Sequence, residues 1–237
     1  MFSRIAPADI CFSRRIAVPL ASGYDQDFGR LAVPDQLAYL IGNDEVTIRA
    51  RNVVSRGGEI DANAGNLTID AAQRIDIATV RTGQLHYESR CLFTCSKSAS
   101  STVTPNGGTI NSANGIHLIA GTEVLNAGGR VLALNDLVID APLVTARAVP
   151  MFSTLGVQPG LAGDFGTSWG RIYATDQGGS FTANRGRLII NGAVVIEGGS
   201  LDAANGVSAR DGVTTSHDAA HDPVTLESHL GLFDWLW

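Results

Sequence analysis

The sequence predicts an all-β protein wound as a β-solenoid, and three observations predict it. A glycine pair recurs at Gly57-Gly58, Gly107-Gly108, Gly128-Gly129, Gly178-Gly179 and Gly198-Gly199. Three residues after the first glycine stands an apolar residue (Ile60, Ile110, Val131, Phe181, Leu201), and five after it a small one (Ala62, Ser112, Ala133, Ala183, Ala203). The composition agrees. The 237 residues are 44% hydrophobic, 17% charged and only 6% aromatic, with 27 glycines, which favours repetitive β structure over helices.

Each repeat opens on a glycine corner, where the chain needs the positive φ that glycine adopts without strain. A first short strand follows, then a polar turn, then a second strand: Leu67-Thr68-Ile69, Ile116-His117-Leu118, Leu137-Val138-Ile139, Leu188-Ile189-Ile190 and Val207-Ser208-Ala209. Alternation in these segments buries one face of each strand. A third apolar stretch follows in Ile75-Asp76-Ile77, Glu123-Val124-Leu125 and Val194-Val195-Ile196. The spacings match: 107 to 128 is 21, 178 to 198 is 20, and Val46 to Leu67 is 21. About 20 residues in three short strands is one coil of a solenoid.

Two gaps, 57 to 107 and 128 to 178, are each 50 residues, read as two coils' worth of length plus extra. They are expected to hold excursions from the solenoid near residues 81–105 and 143–177. The predicted organisation is therefore a lead-in or cap over 1–42, the solenoid over 43–213, and an apolar C-terminal cap over 214–237. Caps protect the open edges of a β stack.

Composition excludes several function classes. Seventeen basic against 23 acidic residues give a net charge of −6, with no basic footprint for nucleic acid. No apolar run reaches the roughly 18 residues of a transmembrane helix. Ser13-Arg14-Arg15 precedes an apolar stretch broken by Pro19, too short for a signal peptide.

Residues 57–71, Gly-Gly-Glu-Ile-Asp-Ala-Asn-Ala-Gly-Asn-Leu-Thr-Ile-Asp-Ala, resemble the repeats of filamentous hemagglutinins and related large exoproteins. So do residues 121–130, Gly-Thr-Glu-Val-Leu-Asn-Ala-Gly-Gly-Arg. The resemblance covers roughly residues 43–213 and implies a right-handed parallel β-helix, exported by two-partner secretion and displayed on Gram-negative bacteria. Its implied partners are an outer-membrane transporter for the parent protein and a receptor or glycan on a host or bacterial surface. The sequence departs from the family in lacking an export signal, a recognisable secretion domain and a C-terminal toxin module. Pro105-Asn106-Gly107 matches only three residues of a motif of that secretion domain. The implied function is a structural shaft segment of a secreted or surface-exposed adhesin, mediating cell adhesion without catalysis. The alternatives are a carbohydrate-active β-helix enzyme and the shaft of a contact-dependent toxin.

No chemistry-bearing motif competes with that expectation. Asp61, Asp70, Asp76, Asp140 and Asp202 alternate with apolar residues, as a solvated β face requires, and His117 is expected to point to solvent. There is no Gly-x-Ser-x-Gly elbow and no phosphate-cradling Gly-x-x-x-x-Gly-Lys. Calcium-binding β-rolls need Gly-Gly-x-Gly-x-Asp, and the fourth place here holds Ile60, Ile110 or Leu201. His217 and His221 stand four apart with His229 nearby, but Asp222-Pro223 places them on a loop without the zinc-protease glutamate. Cys91 and Cys95 lack the second pair of a zinc site; they suit either a small disulfide-closed loop or two surface thiols. Tyr87, Phe93, Trp169 and Tyr173, all in the excursions, either offer stacking surfaces to a sugar or protein receptor or fold back over the solenoid wall. No catalytic residue, cofactor or metal is expected.

Overall fold

The computed structural model describes residues 21–27, 38–91, 95–159 and 170–215, with side chains over 38–86, 100–151 and 177–215. The described residues form an all-β structure without helix, in which parallel pairing dominates. The chain passes repeatedly through the same three strand positions, and each passage hydrogen-bonds to the next. We call each passage a tier and each strand position a wall.

The first wall is a six-stranded parallel sheet of Tyr39–Gly42, Glu59–Ala62, Thr109–Ser112, Arg130–Ala133, Ser180–Ala183 and Ser200–Ala203. The second wall stacks residues 46–50, 67–71, Ile116–Ala120, Leu137–Asp140, Leu188–Ile190 and Val207–Ala209. The third stacks 52–56, 74–78, Glu123–Ala127, 143–147, Ala193–Glu197 and Val213–Thr215. Six tiers result among the described residues, rising about 4.8 Å each.

Register follows the repeat. Ile60 pairs with Ile110, which pairs with Val131, then Phe181, then Leu201. Leu67, Ile116, Leu137, Leu188 and Val207 make the matching column of the second wall. Up to the fifth tier these inward columns fill one continuous cluster, in which Leu67, Ile75, Ile110, Leu118, Leu137 and Phe181 are fully buried; in the sixth Leu201 is partly buried against it and Val207 is exposed. Each such side chain contributes about 1.5–3 kcal/mol by leaving water.

The small-residue column Ala62, Ser112, Ala133, Ala183 and Ala203 closes the first wall before a tight corner. There Ser112 replaces a methyl with a hydroxyl that donates to the Gly65 carbonyl at 2.7 Å and accepts from the Asn114 amide at 3.0 Å. The glycine corner is tighter still. Gly108 has φ +75°, and a Cβ there would stand 2.7 Å from the Ala78 carbonyl of the preceding tier.

Three expectations need correction. Each 50-residue gap holds one tier, not two, plus an excursion of about 30 residues: 79–108 after the second tier and 148–178 after the fourth. Residues 143–147, expected in the second excursion, are a third-wall strand pairing with 123–127 and 193–196. The parallel ladder also begins at Tyr39, within the stretch assigned to the lead-in. Residues 1–20, 28–37 and 216–237, which include most of the two expected caps, lie outside the described residues.

Both excursions are antiparallel. In the first, Gln84–Cys91 pairs with Ala21–Asp27 on one side and Cys95–Ser101 on the other, while Val80–Thr82 pairs with Thr104–Asn106. In the second, 148–159 folds back on Gly170–Gly178 across a bulge between Met151 and Leu155. The strand Leu143–Pro159 lies against Cys95–Ser101 and Thr104–Asn106, so the two excursions meet. Leu85, Val103 and Met151 are buried outside the main cluster. Arg81 Nη1 donates to the Pro150 carbonyl at 3.0 Å, and burial pushes the Arg81 guanidinium below its usual pKa.

Candidate functional site

The outward positions of the walls decide what this chain offers to a partner. Alternation sends every second residue outward, and tier stacking brings outward residues about 4.8 Å from their register neighbours. Several charged ones are engaged between tiers. Arg49 meets Asp70, Arg56 meets Asp76 at 3.7 Å, Arg74 meets Glu123 at 3.3 Å, and Arg147 meets Glu197. Glu123 also accepts from the Thr145 hydroxyl at 2.8 Å.

Side chains at the corners act likewise. Asn66 Oδ1 accepts from the Gly115 amide, Asp136 Oδ1 from the Arg187 amide, and Asn135 donates to Asn114. Exposed pairs of this kind contribute little singly, about 0–1 kcal/mol. Their effect is to hold register.

The five aspartates singled out from the sequence do not converge. Asp61, Asp70 and Asp76 lie in one tier but on three different walls, and Asp202 stands on the first wall four tiers away. Asp140 is the centre of a polar chain on the second wall. His117 Nε2 lies 2.5 Å from Asp140 Oδ2, and Asn191 Nδ2 donates to Asp140 Oδ1 at 2.5 Å. Arg210 then donates to the Asn191 carbonyl at 3.0 Å, so four successive tiers are linked. His117 faces outward as expected, with its ring tied to the next tier.

Hydrogen bonds from Asn191 and then His117 hold the Asp140 carboxyl below the usual carboxylate range; the charges of His117 and Arg210 add to this and partial burial opposes it. A lowered native pKa gives stability that is present above the unfolded value, about 4, and is lost as pH falls through the native one. In Asp140→Asn that acid-side loss should shrink, which thermal melts from neutral pH to about pH 3 measure.

A groove of ≈ 240 Å³ opens on the outside of the first wall at its corner with the second. Its floor is Leu132 and Leu134; Asp61, Asn63, Asn111 and Asn184 surround it. Leu132 shares register with Ile41, Asp61, Asn111, Thr182 and Asp202, and its neighbours in the adjacent tiers, Asn111 and Thr182, are polar. Asp61, Asn63 and Asn184 differ from the corner residues above, since their side chains make no hydrogen bond or ion pair among the described residues.

The four aromatic residues expected to contact a ligand are only partly placed. Tyr87 lies on Gln84–Cys91 with its backbone opposite Tyr24 and Ala99, and Tyr173 lies on Gly170–Gly178 opposite Gly156. Phe93 and Trp169 lie outside the described residues, as do His217, His221 and His229. Cys91 and Cys95 are register partners at the end of their antiparallel pair. Among the described residues no group of three or more His, Cys, Asp or Glu side chains is placed to hold a metal ion, and no helix is long and apolar enough to cross a membrane. Comparison with protein-family models, curated proteins and solved structures finds no match to this chain.

Proposed function

We propose that the six tiers are a parallel β-helix, right-handed by the crossover preference of parallel strands, and that this chain is a structural shaft segment of a secreted or surface-exposed hemagglutinin-like adhesin. The observation that carries the reading is the use made of the outward polar residues. Arg49, Asp70, Arg56, Asp76, Arg74, Glu123, Arg147 and Glu197 all bind a neighbouring tier, so these charged groups of the second and third walls serve the stack itself. A stack of this kind holds its shape under load and presents its surface at a distance by geometry. The repeats quoted above, which resemble those of exported hemagglutinins, give the setting: adhesion to a host or neighbouring cell.

Beads coated with the purified chain test this on monolayers of epithelial cells and on lawns of Gram-negative bacteria. The reading expects retention under flow well above that of beads coated with an inert protein. Background retention on both surfaces would remove the adhesin assignment.

A further inference from the structure

We propose that the first-wall groove is a binding subsite for a neutral or amino-sugar oligosaccharide. It is a separate claim from the shaft reading, since a rod without a sugar site is still a rod. Three observations carry it. The floor is aliphatic, because tier stacking places Leu132, between Asn111 and Thr182 in register, beside Leu134, which follows Ala113 and precedes Asn184 in its own column. The rim holds a carboxylate and two carboxamides, Asp61, Asn63 and Asn184, with no internal partners among the described residues, while Asn66, Asn114, Asn135, Asp136, Asp140 and Asn191 are all engaged. Rim and floor lie along the stack, from the second tier to the fifth, which suits an extended chain of rings rather than a compact ligand.

An apolar strip between carboxylate and amide groups matches the two surfaces of a pyranose. The C–H face lies on the leucines, and ring hydroxyls donate to Asp61 and exchange hydrogen bonds with Asn63 and Asn184. Among the described residues no cation pairs with Asp61, so the groove disfavours sulfated or carboxylated sugars and favours an ammonium on the ring.

Isothermal titration of the full chain with cellotetraose, mannotetraose, a chitosan tetramer and a heparin tetrasaccharide tests the assignment. At least one of the first three should bind and the heparin fragment should not. Binding should fall about ten-fold or more in Asp61→Ala, which removes the charged acceptor. It should fall similarly in the double variant Leu132→Asn, Leu134→Asn. Asparagine already occupies these columns at Asn111, Asn63 and Asn184, so far-UV circular dichroism should be unchanged. The proposal is overturned if none of the neutral or amino tetrasaccharides binds, if binding survives undiminished in the folded double variant, or if only a lysine-rich peptide binds.

Discussion

Phe181→Ala is expected to lower the unfolding free energy by about 3–5 kcal/mol, the usual cost of emptying a phenylalanine-sized volume in a packed core. Phe181 is fully buried and stands in the first-wall column between Val131 and Leu201. It is also the first core residue after the chain returns from its second excursion, two residues past Gly179. Collapse around the lost ring is resisted by fixed strand spacing, because neither neighbouring tier can move closer without breaking its ladder. Urea titration should show the midpoint falling with the slope unchanged. Phe181→Leu keeps most of the volume and should cost less than about 1.5 kcal/mol. Equal losses in the two variants would mean that the ring is not packed as described.

Gly108→Ala should be the more damaging of two glycine changes that look alike on paper. Gly108 and Gly206 both have positive φ, +75° and +96°. At Gly206 nothing lies within 4 Å of an added Cβ, so the cost is the left-handed backbone alone, about 1–2 kcal/mol. At Gly108 the added carbon meets the Ala78 carbon and oxygen and the Thr79 nitrogen, each at 2.7 Å. These are backbone atoms and cannot rotate aside. Gly108 also accepts a hydrogen bond from the Arg130 amide and donates one to the Gly58 carbonyl, so any shift passes to the tiers on both sides. The same denaturation series compares the two variants directly; a Gly206→Ala loss as large as that of Gly108→Ala would remove the steric account.

The walls were legible because each tier obeys one rule with one period. Ile60, Ile110, Val131, Phe181 and Leu201 can be aligned by counting from a glycine pair, and that alignment is the hydrogen-bonded register. Residues 143–147 escaped because the same strand runs on into the hairpin without a break. Tyr39–Gly42 escaped because it has no glycine pair before it. Contacts between tiers become readable only once the period is known. His117 plus one tier of 21 residues reaches Val138, its register partner, and the carboxylate that holds it is two places further on at Asp140. The groove was hidden for a different reason. A single outward leucine is ordinary on a protein surface, and it takes stacking to gather Asp61, Leu132 and Asn184 from across more than half the chain.

In a linear array of repeats each unit touches only its neighbours, and unfolding can fray inward one unit at a time from either end. The contact between Arg81 and Pro150 changes that. Arg81 lies just beyond the second tier and Pro150 just beyond the fourth, so the interlocked excursions form a splint alongside the third and fourth tiers. A zipper opening from either end must stop at the splint until the strand Leu143–Pro159 parts from Cys95–Ser101 and Thr104–Asn106. The middle of the molecule is thereby made one cooperative block, with amide hydrogens that should exchange together and later than those of the first and sixth tiers.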